Sequence, residues 1–292
     1  MQNKHRFKID DLKMQVLLAL EEDIGPGDIT TDTLVPPGQT ARAAATAGQE
    51  GIVCGIEAAK EVFVTLDSSL DFRAVVGDGD AVMPGAALAE LSGAAASILK
   101  AERTALNFMQ RLSGIATLAR KFVDAVEGLD VRICDTRKTT PGWRKLEKYA
   151  VACGGATNHR WGLYDAVLIK DNHIEIARKS GMTIAQMLDK FRERAGKGTV
   201  VQIEARTLEE VRECIDAGAT MILLDNMSNE EMRRAVEMGA AAKGEVIFEA
   251  SGNVNLDTVR EIAETGVHRI SVGALTHSAP ALDISLQISA TS

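Results

Sequence analysis

The sequence predicts an α/β protein in two parts, an α+β domain at the N-terminus followed by a series of parallel βα units. Three observations predict this. Beyond Asp130, apolar runs of strand length alternate with helical stretches, the texture of parallel units rather than hairpins. Each of those runs ends in residues with chemical capacity. Before Asp130, short alternating segments separated by turn residues lie between helical patterns.

The elements follow in order. Residues 10–22 carry Leu12, Val16, Leu17 and Leu20 at helical spacing and stop before Gly25-Pro26-Gly27. Alternation over 40–46 and 71–76 predicts antiparallel strands, with turns at Gly77-Asp78-Gly79-Asp80 and Pro84-Gly85. An Ala-rich helix is expected over 94–112, a break at Ser113-Gly114, and a second helix over 115–126. The apolar runs of the second part are 131–134, 166–169, 200–203, 221–224, 246–248 and 269–272. Between them, Thr207 with Glu210 and Ser228 with Glu231 have capping-box spacing, and Gly218, Gly239 and Gly266 stand where left-handed helix ends are expected.

The polar residues that end the runs are Asp135-Thr136-Arg137-Lys138, Lys170, Glu204, Asp225-Asn226, Glu249 with Ser251-Gly252, and Gly273. In a (β/α) barrel these ends open on one face and converge. An open doubly wound sheet also collects ligands beyond its strand ends, so both architectures remain open on this pattern. The lack of Gly-x-Gly-x-x-Gly after the first run favours the barrel.

Charge narrows the ligand. The chain has 292 residues and a formal net charge of −8, yet residues 135–173 gather Arg137, Lys138, Arg144, Lys145, Lys148, His159, Arg160, Lys170 and His173. A local cationic cluster in an acidic chain predicts a small anionic ligand and argues against nucleic acid, which needs a broad basic face. Arginine forks suit carboxylates and phosphates. Glu204 and Asp225 are candidate Mg²⁺ ligands, since that ion takes a few carboxylates together with water and phosphate oxygens; a bare charge-neutralising role is the alternative. Ser251-Gly252-Asn253 and Gly273 follow the last runs, where barrels bind phosphate through loop amides. His173 and His277 are ambiguous on spacing, and His5 reads as a tail residue. The four cysteines, at 54, 134, 153 and 214, lack Cys-x-x-Cys spacing and read as reduced core thiols in a cytoplasmic protein. Neither a signal segment nor a run of about 18 apolar residues is present, so membrane insertion is not expected.

The segments Glu22-Asp-Ile-Gly-Pro-Gly-Asp-Ile-Thr-Thr31, Ala101-Glu-Arg-Thr-Ala-Leu-Asn107, Asp135-Thr-Arg-Lys-Thr-Thr-Pro-Gly142, Asn158-His-Arg160, Lys170-Asp-Asn-His173 and Asp225-Asn226 resemble the quinolinate phosphoribosyltransferase family, in the same order along essentially the whole chain. The resemblance implies an N-terminal α/β sandwich (1–114, joined by 278–292) and an incomplete (β/α) TIM-like barrel (115–277). It implies transfer of a phosphoribosyl group from phosphoribosyl pyrophosphate to quinolinate, with Mg²⁺ and loss of carbon dioxide, giving nicotinate mononucleotide and pyrophosphate in de novo NAD biosynthesis. By the same resemblance, Arg137, His159, Arg160 and Lys170 surround the two carboxylates of the acid, with Lys138 near the reacting centre and Glu204 and Asp225 on the metal side. Thr136, Asn226, Ser251, Gly252, Asn253, Gly273 and His277 are the remaining substrate-binding positions. A homodimer or a dimer-based hexamer is implied, with Arg103 crossing the interface.

One departure stands out. Where the family pattern reads Ala-Val-Arg followed by three glycines, this chain has Ala150-Val-Ala-Cys-Gly-Gly-Ala156. A paralogous phosphoribosyltransferase acting on another aromatic acid is therefore the main alternative. Two further alternatives are an aldolase-like barrel with Lys170 as Schiff-base nucleophile and a non-catalytic sensor of a pyridine dicarboxylate.

Overall fold

The computed structural model describes residues 9–194, 200–242 and 244–291; His5 lies outside them. Contacts divide the chain into two compact units. The first comprises the chain up to Arg120, Pro141–Gly155 and the segment from Ala279; the second comprises Lys121–Thr140 and Ala156–Ser278. The expected boundaries, 114/115 and 277/278, assign the stretch around 141–155 differently.

In the first unit, helix Ile9–Ile24 buries Leu12, Val16 and Leu20. Leu17, expected in that stripe, is 52% exposed, and with Met14 and Leu18 it forms a second apolar face at i, i+3 and i+4 spacing. Strands β1 (Thr40–Ala47), β2 (Asp71–Ala74) and β3 (Ala87–Ala94) join the C-terminal strand Ile284–Thr291 in an antiparallel sheet. The sheet order is C-terminal strand, β1, β3, β2. The alternation of β1 buries Ala41, Ala43, Ala45 and Ala47, as a half-covered strand requires. β3 has no clear sequence signal: Ala-Leu-Ala-Glu-Leu-Ser-Gly-Ala is poor in β-branched residues, and pairing on both sides decides its state.

The expected helix break at Ser113-Gly114 is absent, and one 31-residue helix runs Ala95–Ala125. Gly114 is there for close approach: a Cβ at that position would lie 2.0 Å from the carbonyl oxygen of Pro280. Ser113 is likewise used for packing, accepting from Cys54 N at 2.9 Å and donating to Cys54 O at 3.0 Å.

The second unit is built on six parallel strands: β4 (Arg132–Cys134), β5 (Val167–Ile169), β6 (Val201–Ala205), β7 (Met221–Asp225), β8 (Ile247–Ser251) and β9 (Arg269–Ser271). Their order is β4-β9-β8-β7-β6-β5, every neighbouring pair parallel, an incomplete barrel as expected. Period-two alternation with this register sorts the side chains. One face carries Ile203, Ile222, Leu224, Phe248, Ala250 and Ile270, all 2% exposed or less, and each large one is worth roughly 1.5–3 kcal/mol of burial. The other carries Glu204, Asp225, Glu249, Ser251 and Ser271, with Glu204, Leu223 and Glu249 level with one another. The interior of this barrel is polar.

The helix punctuation largely follows the sequence. Thr207 caps Leu208–Asp216 by accepting from Glu210 N at 3.2 Å, and Ser228 and Glu231 form a reciprocal capping box. Gly218 and Gly266 have φ of +76° and +89°. Gly239, expected to end a helix, lies inside Asn229–Ala240, where a Cβ would come 2.4 Å from the Phe248 ring. No helix among the described residues is long and apolar enough to cross a membrane.

Candidate active site

A cavity of about 500 Å³ opens at the C-terminal ends of the parallel strands in the second unit. Its cationic side comes from the loop after β4 (Thr136, Arg137, Lys138), from His159 and Arg160, and from Lys170 just after β5. Glu204 and Asp225 enter from β6 and β7, Ser251, Gly252 and Asn253 from the end of β8, and Gly273 and His277 from the segment after β9. Residues spread along the chain from Thr136 to His277 thus meet in one pocket because parallel strands present their ends together.

The loop carrying His159 is anchored by Asp135, which is fully buried and accepts from His159 N at 2.7 Å and from Asn158 Nδ2 at 2.8 Å. The bridge between Cys134 and Thr157 sets that loop alongside β4. The His159 ring accepts from Arg160 N–H at Nδ1, 2.7 Å, so its proton is assigned to Nε2, which faces Gln202 Oε1 and Glu249 Oε1, both at 3.2 Å.

Glu249 is fully buried yet lines the cavity. Ser271 Oγ also donates to it, and Arg269 Nε lies 3.1 Å from its second oxygen, a charge contact without hydrogen-bond geometry. Burial pushes its carboxyl up, but the His159 hydrogen bond, the Arg269 charge and Ser271 together outweigh burial and hold it below the ordinary range. Sequence reasoning noted Glu249 at a run end but assigned it no role; nothing in the sequence shows that His159 and Arg269 meet it. Ser271 was missed altogether.

Arg160 donates to the Ala166 carbonyl at 3.1 Å, and its guanidinium is pushed down, first by burial and then by the neighbouring charge of Arg137. Two arginines held close enough to repel are a ready site for an anion. Lys138 is steered by its loop: its N–H donates to Thr136 Oγ1 at 3.0 Å and its carbonyl accepts from Thr276 Oγ1 at 2.7 Å. Gly273 makes room for it, since a Cβ there would stand 3.0 Å from both Lys138 Cδ and His277 Nε2.

On the acidic side, burial raises the Glu204 carboxyl above its ordinary value, reinforced by Asp225 and Asp171 and opposed by Arg206 and Lys170. Among the described residues no group of three or more His, Cys, Asp or Glu side chains could hold a metal. Glu204 and Asp225 place two carboxylates at neighbouring strand ends, fewer donors than a closed metal shell has.

The other expected residues fall elsewhere. Asn226 does not line the cavity; with φ +56° it donates from Nδ2 to Asp225 at 2.9 Å and accepts from Asn253 Nδ2 at 3.4 Å. Gly252, φ +106°, is required beside it, because a Cβ would lie 2.2 Å from Asn226 Oδ1. Arg103 lies on helix Ala95–Ala125 in the first unit. His173 accepts from Lys170 N–H at 3.0 Å and serves the start of helix Asp171–Lys179. The basic run is divided: Arg144, Lys145 and Lys148 belong to helix Arg144–Cys153 of the first unit, with Lys148 fully buried. The altered segment 150–156 ends that helix, and Gly154 packs so closely that a Cβ would meet Ala116 O at 2.3 Å, while Arg120 donates to its carbonyl at 3.1 Å. All four cysteines are free thiols.

An incomplete parallel barrel with a polar interior and cations gathered at its strand ends defines an α/β protein with an anion-binding site. Residues 28–113 match the quinolinate phosphoribosyl transferase N-terminal domain and residues 115–287 match the C-terminal domain. The chain therefore belongs to the quinolinate phosphoribosyl transferase family. It is 44% identical to a protein named quinolinate phosphoribosyltransferase (decarboxylating) 2b from Nicotiana tabacum, over 95% of this chain and 82% of that one. It is 43% identical to a probable nicotinate-nucleotide pyrophosphorylase (carboxylating) of Bacillus subtilis, over 91% and 90%. Among solved structures, the nicotinate-nucleotide pyrophosphorylase of Francisella tularensis superposes with a TM-score of 0.90 at 40% identity, covering 97% of this chain and 98% of that one.

Proposed function

We propose that this protein is a quinolinate phosphoribosyltransferase of pyridine nucleotide biosynthesis, converting quinolinate and phosphoribosyl pyrophosphate to nicotinate mononucleotide, carbon dioxide and pyrophosphate. The observation that carries this is a cavity in which Arg137, Lys138, His159, Arg160 and Lys170 face Glu204 and Asp225. A dicarboxylate needs several fixed cations, and a diphosphate leaving group needs both cations and a metal side.

In this reading Arg137, His159, Arg160 and Lys170 hold the two carboxylates, and Lys138 neutralises the pyrophosphate as it leaves. Glu204 and Asp225 hold Mg²⁺, which when bound supplies charge to the diphosphate oxygens. The same carboxylates stabilise the positive charge that develops on the ribose as its bond to pyrophosphate breaks and the pyridine nitrogen attacks. Ser251, Gly252, Asn253, Gly273 and His277, with Thr136, serve the phosphates, and Asn226 orients Asp225. The glycosylated ring nitrogen is cationic, so the electron pair left on the adjacent ring carbon as its carboxylate departs as carbon dioxide is stabilised by the neighbouring positive charge and then takes a proton from water, and no separate cofactor is required for that step.

The assembly in this proposal is a homodimer or a dimer-based hexamer in which Arg103 of the partner subunit completes each site. The uncovered Met14, Leu17 and Leu18 supply apolar surface of the kind subunits bury. Free thiols suit a cytoplasmic location. The deciding assay measures nicotinate mononucleotide and carbon dioxide from quinolinate, beside nicotinate and other aromatic acids, with and without chelator. Equimolar products from quinolinate alone, lost with chelator and restored by Mg²⁺, are expected; turnover of another acid in preference to quinolinate rejects the assignment.

A further inference from the structure

Arg206 follows β6 and lines a neighbouring hollow with Asp171 and Glu204, and its position carries a consequence for metal uptake. Its backbone N–H donates to Glu210 Oε2 at 2.8 Å, which holds the turn before helix Leu208–Asp216. Its guanidinium stands among three carboxylates from separate elements. One Nη donates to Asp171 Oδ2, and Nε lies 3.6 Å from Glu204 Oε1 and 3.6 Å from Asp225 Oδ2. Glu204 is nearly buried, whereas the Arg206 side chain is 53% exposed.

A guanidinium in this place occupies the region between the two carboxylates assigned above to the metal. Mg²⁺ needs oxygens at about 2.0–2.1 Å, so an ion drawn between Glu204 Oε1 and Asp225 Oδ2 competes with a cation that sits 3.6 Å from both. Mutual repulsion between Arg206 and a dication at such range is large even at an effective dielectric constant of about 20. The exposed head of Arg206 can swing out, and its hydrogen bond to Asp171 gives it a place to remain.

We infer that Arg206 is a resident counter-ion for Glu204 and Asp225, exchanged for the divalent cation when the diphosphate substrate arrives. It acts as a positioning residue. It keeps the two carboxylates together and neutralised while no metal is bound, and it makes metal binding by the free protein weak and dependent on the anion. This inference rests on the metal assignment proposed above.

The test is Mn²⁺ binding, read by the electron paramagnetic resonance signal of free Mn²⁺, to the substrate-free wild type, Arg206→Met and Arg206→Lys. Removing the competing charge is expected to tighten Mn²⁺ binding about tenfold or more in Arg206→Met and much less in Arg206→Lys. Added pyrophosphate is expected to tighten binding in the wild type and to narrow the gap between it and Arg206→Met. Equal or weaker binding by Arg206→Met overturns the inference while leaving the metal site standing, as does an equal gain in both variants. Absence of Mn²⁺ binding by all three proteins, with and without pyrophosphate, overturns the metal assignment and the inference together. Should Arg206→Met fail to fold, as judged by its melting curve, the neutral Arg206→Gln takes its place: binding tighter than wild type and tighter than Arg206→Lys supports the exchange, and unchanged binding rejects it.

Discussion

The charges at the cavity floor are interdependent because none of them is well solvated. Glu249 is fully buried and meets His159, Ser271 and Arg269, so replacing it with an isosteric neutral group leaves the Arg269 guanidinium uncompensated and removes the carboxylate that faces His159 Nε2–H. Breaking a buried pair from one side typically costs about 3–5 kcal/mol, and Glu249→Gln is expected to lose that much at neutral pH by urea unfolding. Because the folded-state carboxyl is held below its ordinary value, its contribution is complete above about pH 4.3 and disappears as pH falls through the lower folded value. The stability gap between wild type and variant should therefore close in acid, and a gap that stays constant down to about pH 3 rejects the ionised assignment. For the cations, Arg137→Ala and Lys138→Ala are each expected to lower kcat/KM for nicotinate mononucleotide by about 10²-fold or more. Near-normal values in both would remove the substrate contacts proposed for them.

Elements here are shaped by close approach as much as by propensity. On propensity alone, Gly114→Ala in the interior of a long helix should stabilise by nearly 1 kcal/mol. Since the added Cβ would stand 2.0 Å from a backbone carbonyl, the opposite sign is expected, a loss of about 1–3 kcal/mol seen as a lower melting temperature. A melting temperature equal to or above wild type would mean that Pro280 yields easily. The same logic separates Gly239, which packs on Phe248, from Gly218 and Gly266, whose positive φ is the reason for glycine. Caps with local partners, such as Ser228 and Glu231, were legible because three residues of spacing suffice to define them. Strand β3 and the unbroken helix Ala95–Ala125 were not, because both are decided by partners distant in sequence.

At the scale of the whole molecule, the proposed sharing of each site between subunits has a quantitative signature. Arg103→Ala and Lys138→Ala proteins are each expected to be nearly inactive. Mixed and allowed to exchange subunits, they form hybrids in which one of two sites receives an intact Arg103 and an intact Lys138. Statistical mixing then predicts about a quarter of wild-type activity. No recovery, with exchange verified by mass, would place Arg103 outside the partner's site.

The sequence by itself determined the two-part α/β plan, the positions of the six parallel strands to within two residues at their starts, and nearly all the cavity's charged residues, because strand ends in a parallel sheet converge whatever lies between them. It also carried the family resemblance in full. Tertiary structure alone decided which members of the basic run share a pocket: Arg137, Lys138, His159, Arg160 and Lys170 do, while Arg144, Lys145 and Lys148 pack with the other unit. It alone revealed Glu249 and Ser271 beneath His159 and Arg206 among three carboxylates. Charge along a chain is read locally, but the partner of each charge is set by side-chain direction and strand register, which exist only once the sheet has formed.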